Sequence, residues 1–174
     1  MSLRISDLRL ISVVVASVAL VATTQNSEIR IVPYPGHLFT IRLEADKQAY
    51  RLGEPIKLRA SITNVSGQPY SILYWPPPAM LPLLILDSHG TQVSPTTHGV
   101  IERISGSYQL APGETVSLGW VEISRYGYAL IQPGSYTITT SLCGVGNKRT
   151  SRGVDSFMMK GEERSNPVRI RILP

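Results

Sequence analysis

Cysteine is almost absent. Cys143 stands alone, so no intrachain disulfide can brace the chain, and at the end of a strand-like run it reads as a small buried hydrophobe. Histidine is equally sparse. His37, His89 and His98 are scattered, with none of the HExxH-type spacing that would put two rings on one metal ion, and Asp87 and His89 read as turn residues. No Gly-x-Ser-x-Gly elbow raises a serine nucleophile. Gly144–Ser151 is glycine-containing and basic. It lacks the phosphate-loop spacing, and no helical pattern follows whose N-terminus could bind phosphate. No pair of carboxylates stands out for glycoside hydrolysis, and no period of 20 to 50 residues recurs. The expectation is a chain that is not an enzyme and carries no cofactor and no metal.

What is present suits a β-domain. Hydrophobic residues make up 43% of the 174 positions and charged residues 17%, enough for one folded domain with short extras. Fourteen glycines and 13 prolines punctuate the chain with turns, and eight tyrosines against two phenylalanines fit strands with one wet face. The net charge of +5 is uneven. Residues 23–143 balance eight basic against eight acidic side chains, whereas residues 144–174 hold seven basic and three acidic ones. A neutral body with a basic C-terminal segment is not the footprint of a nucleic-acid binder.

In chain order, residues 1–22 read as a targeting segment. Arg4 and Arg9 precede the 12-residue apolar run Ile11–Ala22, too short for a membrane span of about 20 residues and suited to a signal peptide. An uncleaved N-terminal anchor or a buried helix is the alternative. No cysteine follows the run for a lipoprotein anchor. Residues 23–37 read as a polar linker, broken by Pro33 and Pro35, and residues 38–174 as the folded domain. Export to the periplasm or the cell exterior follows as an expectation.

Within 38–174 the alternation has period two. Phe39/Ile41/Leu43 and Ile56/Leu58/Ala60/Ile62 each line one face of a strand. Gly53-Glu54 and Gly113-Glu114 mark matching turns before strands. Asn64-Val65-Ser66 spells a glycosylation sequon but sits where a turn is needed. In Thr115–Ile123, Val116, Leu118 and Trp120 fall on one face, which makes Trp120 a core aromatic. Tyr136, just after Pro133-Gly134, is placed for a tyrosine corner. Gly144–Ser165 is polar and charged and reads as a flexible hairpin excursion, and Val168/Ile170/Ile172 close the chain. The count is about seven to nine strands, an all-β, immunoglobulin-like antiparallel sandwich.

Asp46-Lys47 through Tyr50, Gly53-Glu54-Pro55-Ile56, Ile62-Thr63-Asn64-Val65-Ser66, Leu110-Ala111-Pro112-Gly113-Glu114 and Pro133-Gly134-Ser135-Tyr136-Thr137-Ile138 follow an order that resembles bacterial immunoglobulin-like modules. The family they resemble is that of the Bacillus intracellular proteinase inhibitor, over roughly Phe39–Leu173. The resemblance implies the sandwich fold and, as a second reading, insertion of a loop such as 75–80 or 125–131 into a protease cleft.

Two surfaces stand out for a partner. Tyr74, Trp75 and Pro77 lie in a Tyr70–Met80 segment whose three consecutive prolines cannot join a central ladder. Such a segment can present rigid aromatic anchors or protect a sheet edge. Arg125, Tyr126 and Tyr128, taken with the basic 148–164 segment, could meet an acidic protein, a glycan or a lipid headgroup. The leading expectation is a binding or structural module that engages a protein partner, such as a protease, or an envelope component through loops and strand edges.

Overall fold

The structure, a computed structural model, describes residues 28–74, 80–96 and 106–174. The helix expected within residues 1–22 lies outside these residues. Among them no helix is long and apolar enough to cross a membrane. Eleven strands are described, in chain order β1 (Glu28–Ile31), β2 (Phe39–Ala45), β3 (Ala49–Arg51), β4 (Lys57–Asn64), β5 (Tyr70–Tyr74), β6 (Leu83–Leu86), β7 (Gly106–Leu110), β8 (Thr115–Glu122), β9 (Gly134–Thr150), β10 (Gly153–Arg164) and β11 (Val168–Leu173). A short 3-10 helix, Ile123–Tyr126, follows β8. The fold is all-β, two facing sheets around one core.

The larger sheet is built on β9. Its first half pairs with β11 on one side and β6 on the other, and its second half with β10 and β5. β3 extends the β11 side, β1 the β10 side and β7 the β5 side. The smaller sheet is β2-β4-β8, antiparallel throughout. Two pairings in the larger sheet are parallel, β1 with β10 and β11 with β3, so the sandwich is not wholly antiparallel.

The apolar alternation builds the core. Phe39, Ile41 and Leu43 of β2 and Leu58, Ala60 and Ile62 of β4 are buried against Ile72, Ile85, Ile138, Leu142, Met159 and Ile170 of the facing sheet. Burial of this kind stabilises by about 25 cal/mol per Å² of apolar surface removed from water. A row of rings, Phe39, Tyr70, Phe157 and Tyr34, crosses the core with centroids 5.6–6.0 Å apart, two of its contacts edge-on. Phe157 lies flat over Gly146, its cross-strand neighbour, where a Cβ would come within 2.3 Å of the ring. Only glycine makes room for that aromatic.

Two segments differ from the sequence-based expectation. Gly144–Ser165 is the expected hairpin, but it is built into the sheet and is not an excursion from it. It forms most of a long hairpin, with Phe157 and Met159 buried under it. Its charged residues mask an inward alternation carried by Gly144, Gly146, Phe157 and Met159, which pattern reading scores weakly. The stretch read as a linker contains β1, which pairs with β10 and continues through the bond from the Val32 N–H to the Ser156 carbonyl (2.8 Å). Arg30 ties β1 laterally through two hydrogen bonds to Asp155, 3.0 and 2.6 Å.

The turns bear out the repeated Gly-Glu logic. At Arg51–Glu54 the Arg51 carbonyl accepts from the Glu54 N–H (3.0 Å), Gly53 takes φ 81°, and the Glu54 carboxylate accepts from the Arg51 N–H (2.9 Å). At Ala111–Glu114 the same bonds recur at 3.0 and 2.8 Å around Gly113. Asn64 is fully buried. Its amide donates to the Gln68 and Leu110 carbonyls while its oxygen accepts from Ser66 N–H, so the sequon is a turn and not a glycan acceptor. The Tyr136 hydroxyl donates to the Gln132 carbonyl at 2.9 Å, the tyrosine-corner contact.

Candidate functional site

Trp120 is 45% exposed, not a core aromatic. The cause is one residue. Val116 and Leu118 pack toward the core, Gly119 follows at φ 75°, and the β4–β8 register shifts between Arg59 and Ser61. This β-bulge adds one residue to β8 and reverses the phase of all that follows. Val121, opposite the buried Leu58, now faces in, and Trp120, opposite Arg59, faces out.

The outward rung of the smaller sheet therefore reads Glu44–Arg59–Trp120 across its three strands. The Arg59 guanidinium lies 4.7 Å from the indole centroid, close enough for a cation–π contact. Both its Nε and Nη2 donate to Glu44 Oε2, at 3.1 and 2.6 Å, and Arg42 reaches the other carboxylate oxygen at 3.0 Å. The Arg59 hydrogen bond is the main reason the Glu44 carboxyl is held below the usual carboxylate range; the Arg42 charge adds to it. The planar fork of Arg59 is thus fixed before any ligand arrives.

Beside this rung opens a cleft of about 600 Å³, bordered by Glu44–Gln48, Arg59, Trp120 and Val168–Arg169. Its floor is stiff. The Tyr50 hydroxyl donates to Asp46 Oδ1 (2.5 Å) and accepts from the Lys47 N–H (3.1 Å), and Lys47 bonds Glu54. Burial, then the Asp46 bond, raises the Tyr50 phenol well above its ordinary value.

The residues singled out from sequence fall elsewhere. Trp75 and Pro77 lie outside the described residues. Tyr74 ends β5 on the larger sheet, which also carries the basic 148–164 segment in β9 and β10, whereas Arg125, Tyr126 and Tyr128 follow β8 of the smaller, so the second expected surface is divided between the sheets. Arg125 is exposed on the 3-10 helix. Tyr126 is half-buried against the core, its phenol pushed up by burial. Tyr128 is buried and its hydroxyl donates to the Leu83 carbonyl at 3.0 Å, so it anchors the body instead of projecting from it. The 125–131 stretch is held down by these contacts and by Leu130, also buried. A second cleft of about 450 Å³ opens between the Arg51–Ile56 turn and residues 122–131, with Leu52 and Ile131 exposed at its edge. Among the described residues no three His, Cys, Asp or Glu side chains converge as a metal-binding group, and Cys143 is half-buried and free. The missed site had one sequence signal, an isolated glycine inside a strand pattern.

No family model matches the chain, and no curated protein matches it. Solved structures do. The CARDB domain of the PF1109 protein from Pyrococcus furiosus is 11% identical, with 78% of this chain and 87% of that one covered and a TM-score of 0.39. Spo0M, a sporulation control protein from Bacillus subtilis, is 14% identical over 79% of this chain and 50% of that one, with a TM-score of 0.41. An α2-macroglobulin structure from Escherichia coli, spanning MG7 to the C-terminus, is 17% identical over 80% of this chain and 17% of that one, with a TM-score of 0.40. At these levels the likeness assigns neither family nor activity.

Proposed function

We propose that this chain is a non-enzymatic binding module of the immunoglobulin-like type, exported from the cell, that engages an envelope component or a protein there. The tyrosine corner at Tyr136 and the two packed sheets support the fold reading. One observation carries the binding reading. A bulge at Gly119 turns a tryptophan out of the core and onto a preset arginine. Bulges re-aim side chains at functional positions, and Trp and Arg dominate the residues that anchor partners. The module acts through the face of its smaller sheet, with loops and edges as framing.

The test is retention of the purified domain on cell-envelope fractions of its source organism, compared with Trp120→Ala and Arg59→Ala. Retention at least tenfold weaker for both variants, at unchanged thermal midpoint, is the expected result. Equal retention of all three proteins would overturn the assignment.

A further inference from the structure

The outward face around Trp120 is unusual in what it combines. Reading across the three strands, Thr40, Thr63 and Thr115 form one rung, and Arg42, Ser61 and Ser117 the next. Glu44, Arg59 and Trp120 form the third, and Lys57 stands opposite Glu122 beyond it. Hydroxyl groups make up most of two rungs, and the Thr63 and Thr115 hydroxyls already bond each other at 2.8 Å. Trp120 is the single large apolar side chain among these outward positions. The charges of these rungs nearly balance, three cations against two carboxylates: Glu44 is shared by Arg42 and Arg59, and Lys57 stands across the ladder from Glu122.

Three ligand chemistries can be weighed against this surface. A polyanion needs several cations without carboxylate partners, and the two arginines here converge on one glutamate. A protein partner buries a core of apolar contacts inside a polar rim, and one indole is too little for that. A neutral polyhydroxylated ligand needs an aromatic plane for its C–H faces and a dense field of donors and acceptors for its hydroxyls. Glu44, Arg59, the adjoining cleft with Asp46 and Gln48, and the Ser/Thr rungs offer that field. Rungs lie about 6.7 Å apart along a strand and strands about 4.8 Å apart, so the face repeats its hydroxyls on the scale of linked sugar rings.

We infer that the outer face of β2-β4-β8 binds a neutral oligosaccharide, stacked on Trp120 and hydrogen-bonded by Glu44, Arg59 and the Ser/Thr rungs. The inference rests on the binding reading above and names its ligand class. The ring face of Trp120 turned away from Arg59 takes the C–H face of the sugar, and the Glu44–Arg59 pair presents donors and an acceptor without rearranging.

Affinity electrophoresis tests this, with soluble β-glucan, α-glucan, galactomannan or xylan cast in native gels and dextran sulfate as the anionic comparison. At least one neutral polymer is expected to retard the wild-type domain. Trp120→Ala should abolish that retardation, Trp120→Phe should keep part of it, and Ser61→Ala/Ser117→Ala should weaken it several-fold. Thermal midpoints should stay together, because these positions point to solvent. Three results would overturn the inference: no retardation by any neutral polymer, retardation by dextran sulfate alone, or retardation unchanged in Trp120→Ala. If neutral polymers fail while envelope retention still depends on Trp120, the ligand class is wrong and the binding face survives.

Discussion

Glu163 is one charged side chain the core holds, 6% exposed, and its removal has a calculable cost. It sits near the end of β10, within the register shift between Lys160 and Arg164. Its Oε1 accepts from the Tyr34 hydroxyl, from the Leu38 N–H at 2.9 Å and, more weakly, from the Phe39 N–H at 3.5 Å. Gly36 and His37, at φ 79° and 41°, turn the chain so that those N–H groups face the carboxylate. Glu163→Ala strands a buried amide and a half-buried phenol, at about 1–3 kcal/mol for each donor left without an acceptor. It also relieves the cost of burying a charge, which brings the net loss to about 2–3 kcal/mol. Glu163→Gln keeps an acceptor oxygen in place and should stay within about 1 kcal/mol of wild type. With a urea slope of about 2 kcal/mol/M for a domain of this size, the alanine variant should unfold about 1 M earlier by far-UV circular dichroism. A Tyr34→Phe/Glu163→Ala cycle should show coupling of about 1 kcal/mol. An alanine variant as stable as wild type, or a glutamine variant as damaged as alanine, would refute the account of Glu163 as the acceptor that fastens residues 34–39 to β10.

Gly153→Ala should release β1 from β10: the added Cβ would stand 2.1 Å from the Glu28 carbonyl oxygen at φ 141°, so hydrogen exchange should accelerate at residues 29–32 while β4 stays protected, and unchanged protection there would count against the pairing. Asn64→Ala removes two amide donors and an acceptor from a fully buried turn and should cost about 3 kcal/mol by urea unfolding; a loss under about 1 kcal/mol would show that the turn holds without it. Alkali should destabilise the fold. Tyr34 and Tyr50 are raised by burial and by their carboxylate partners, and Tyr126 by burial, whereas unfolded tyrosines ionise near pH 10. This stabilisation is complete below about pH 10 and is lost above it, as the unfolded chain releases protons the folded one keeps. Urea midpoints falling from pH 9 to 11 check the sign, and a flat profile would contradict it.

The sheet was legible wherever burial is one-sided and uninterrupted. Phe39–Leu43 and Ile56–Ile62 lie on the expected faces because nothing shifts their phase. The Gly-Glu turns were legible because positive φ at Gly53 and Gly113 follows from glycine's missing Cβ. The burial of the β9–β10 hairpin was not. Its inward positions include Gly144 and Gly146, whose places are filled by neighbours such as Phe157, and a residue without a side chain leaves no apolar mark in the sequence. The parallel placement of β1 was hidden for a different reason. Its partner lies 125 residues away, and Ile29 and Ile31 remain exposed, so no local alternation could announce it.

The site was missed through a rule correctly applied. Alternation from Val116 predicts an inward Trp120, and it would be inward in a regular strand. The bulge means that the inward series runs Val116, Leu118, Val121, Ile123, a three-residue step at Gly119 within steps of two. That step has a testable consequence for how the face is built. Gly119→Val penalises the φ of 75° that the bulge needs, and a strand straightened with that residue kept would restore strict alternation, send Trp120 toward a core already filled by Leu58 and Leu43, and turn Val121 into water. Overpacking of this kind costs about 1–3 kcal/mol or more, and exposing a valine adds about 1.5 kcal/mol. The domain should therefore lose stability and the Trp120–Arg59 contact together, whereas Trp120→Ala should lose only the contact. If Gly119→Val left both stability and the contact intact, the bulge would not be the device that sets the face.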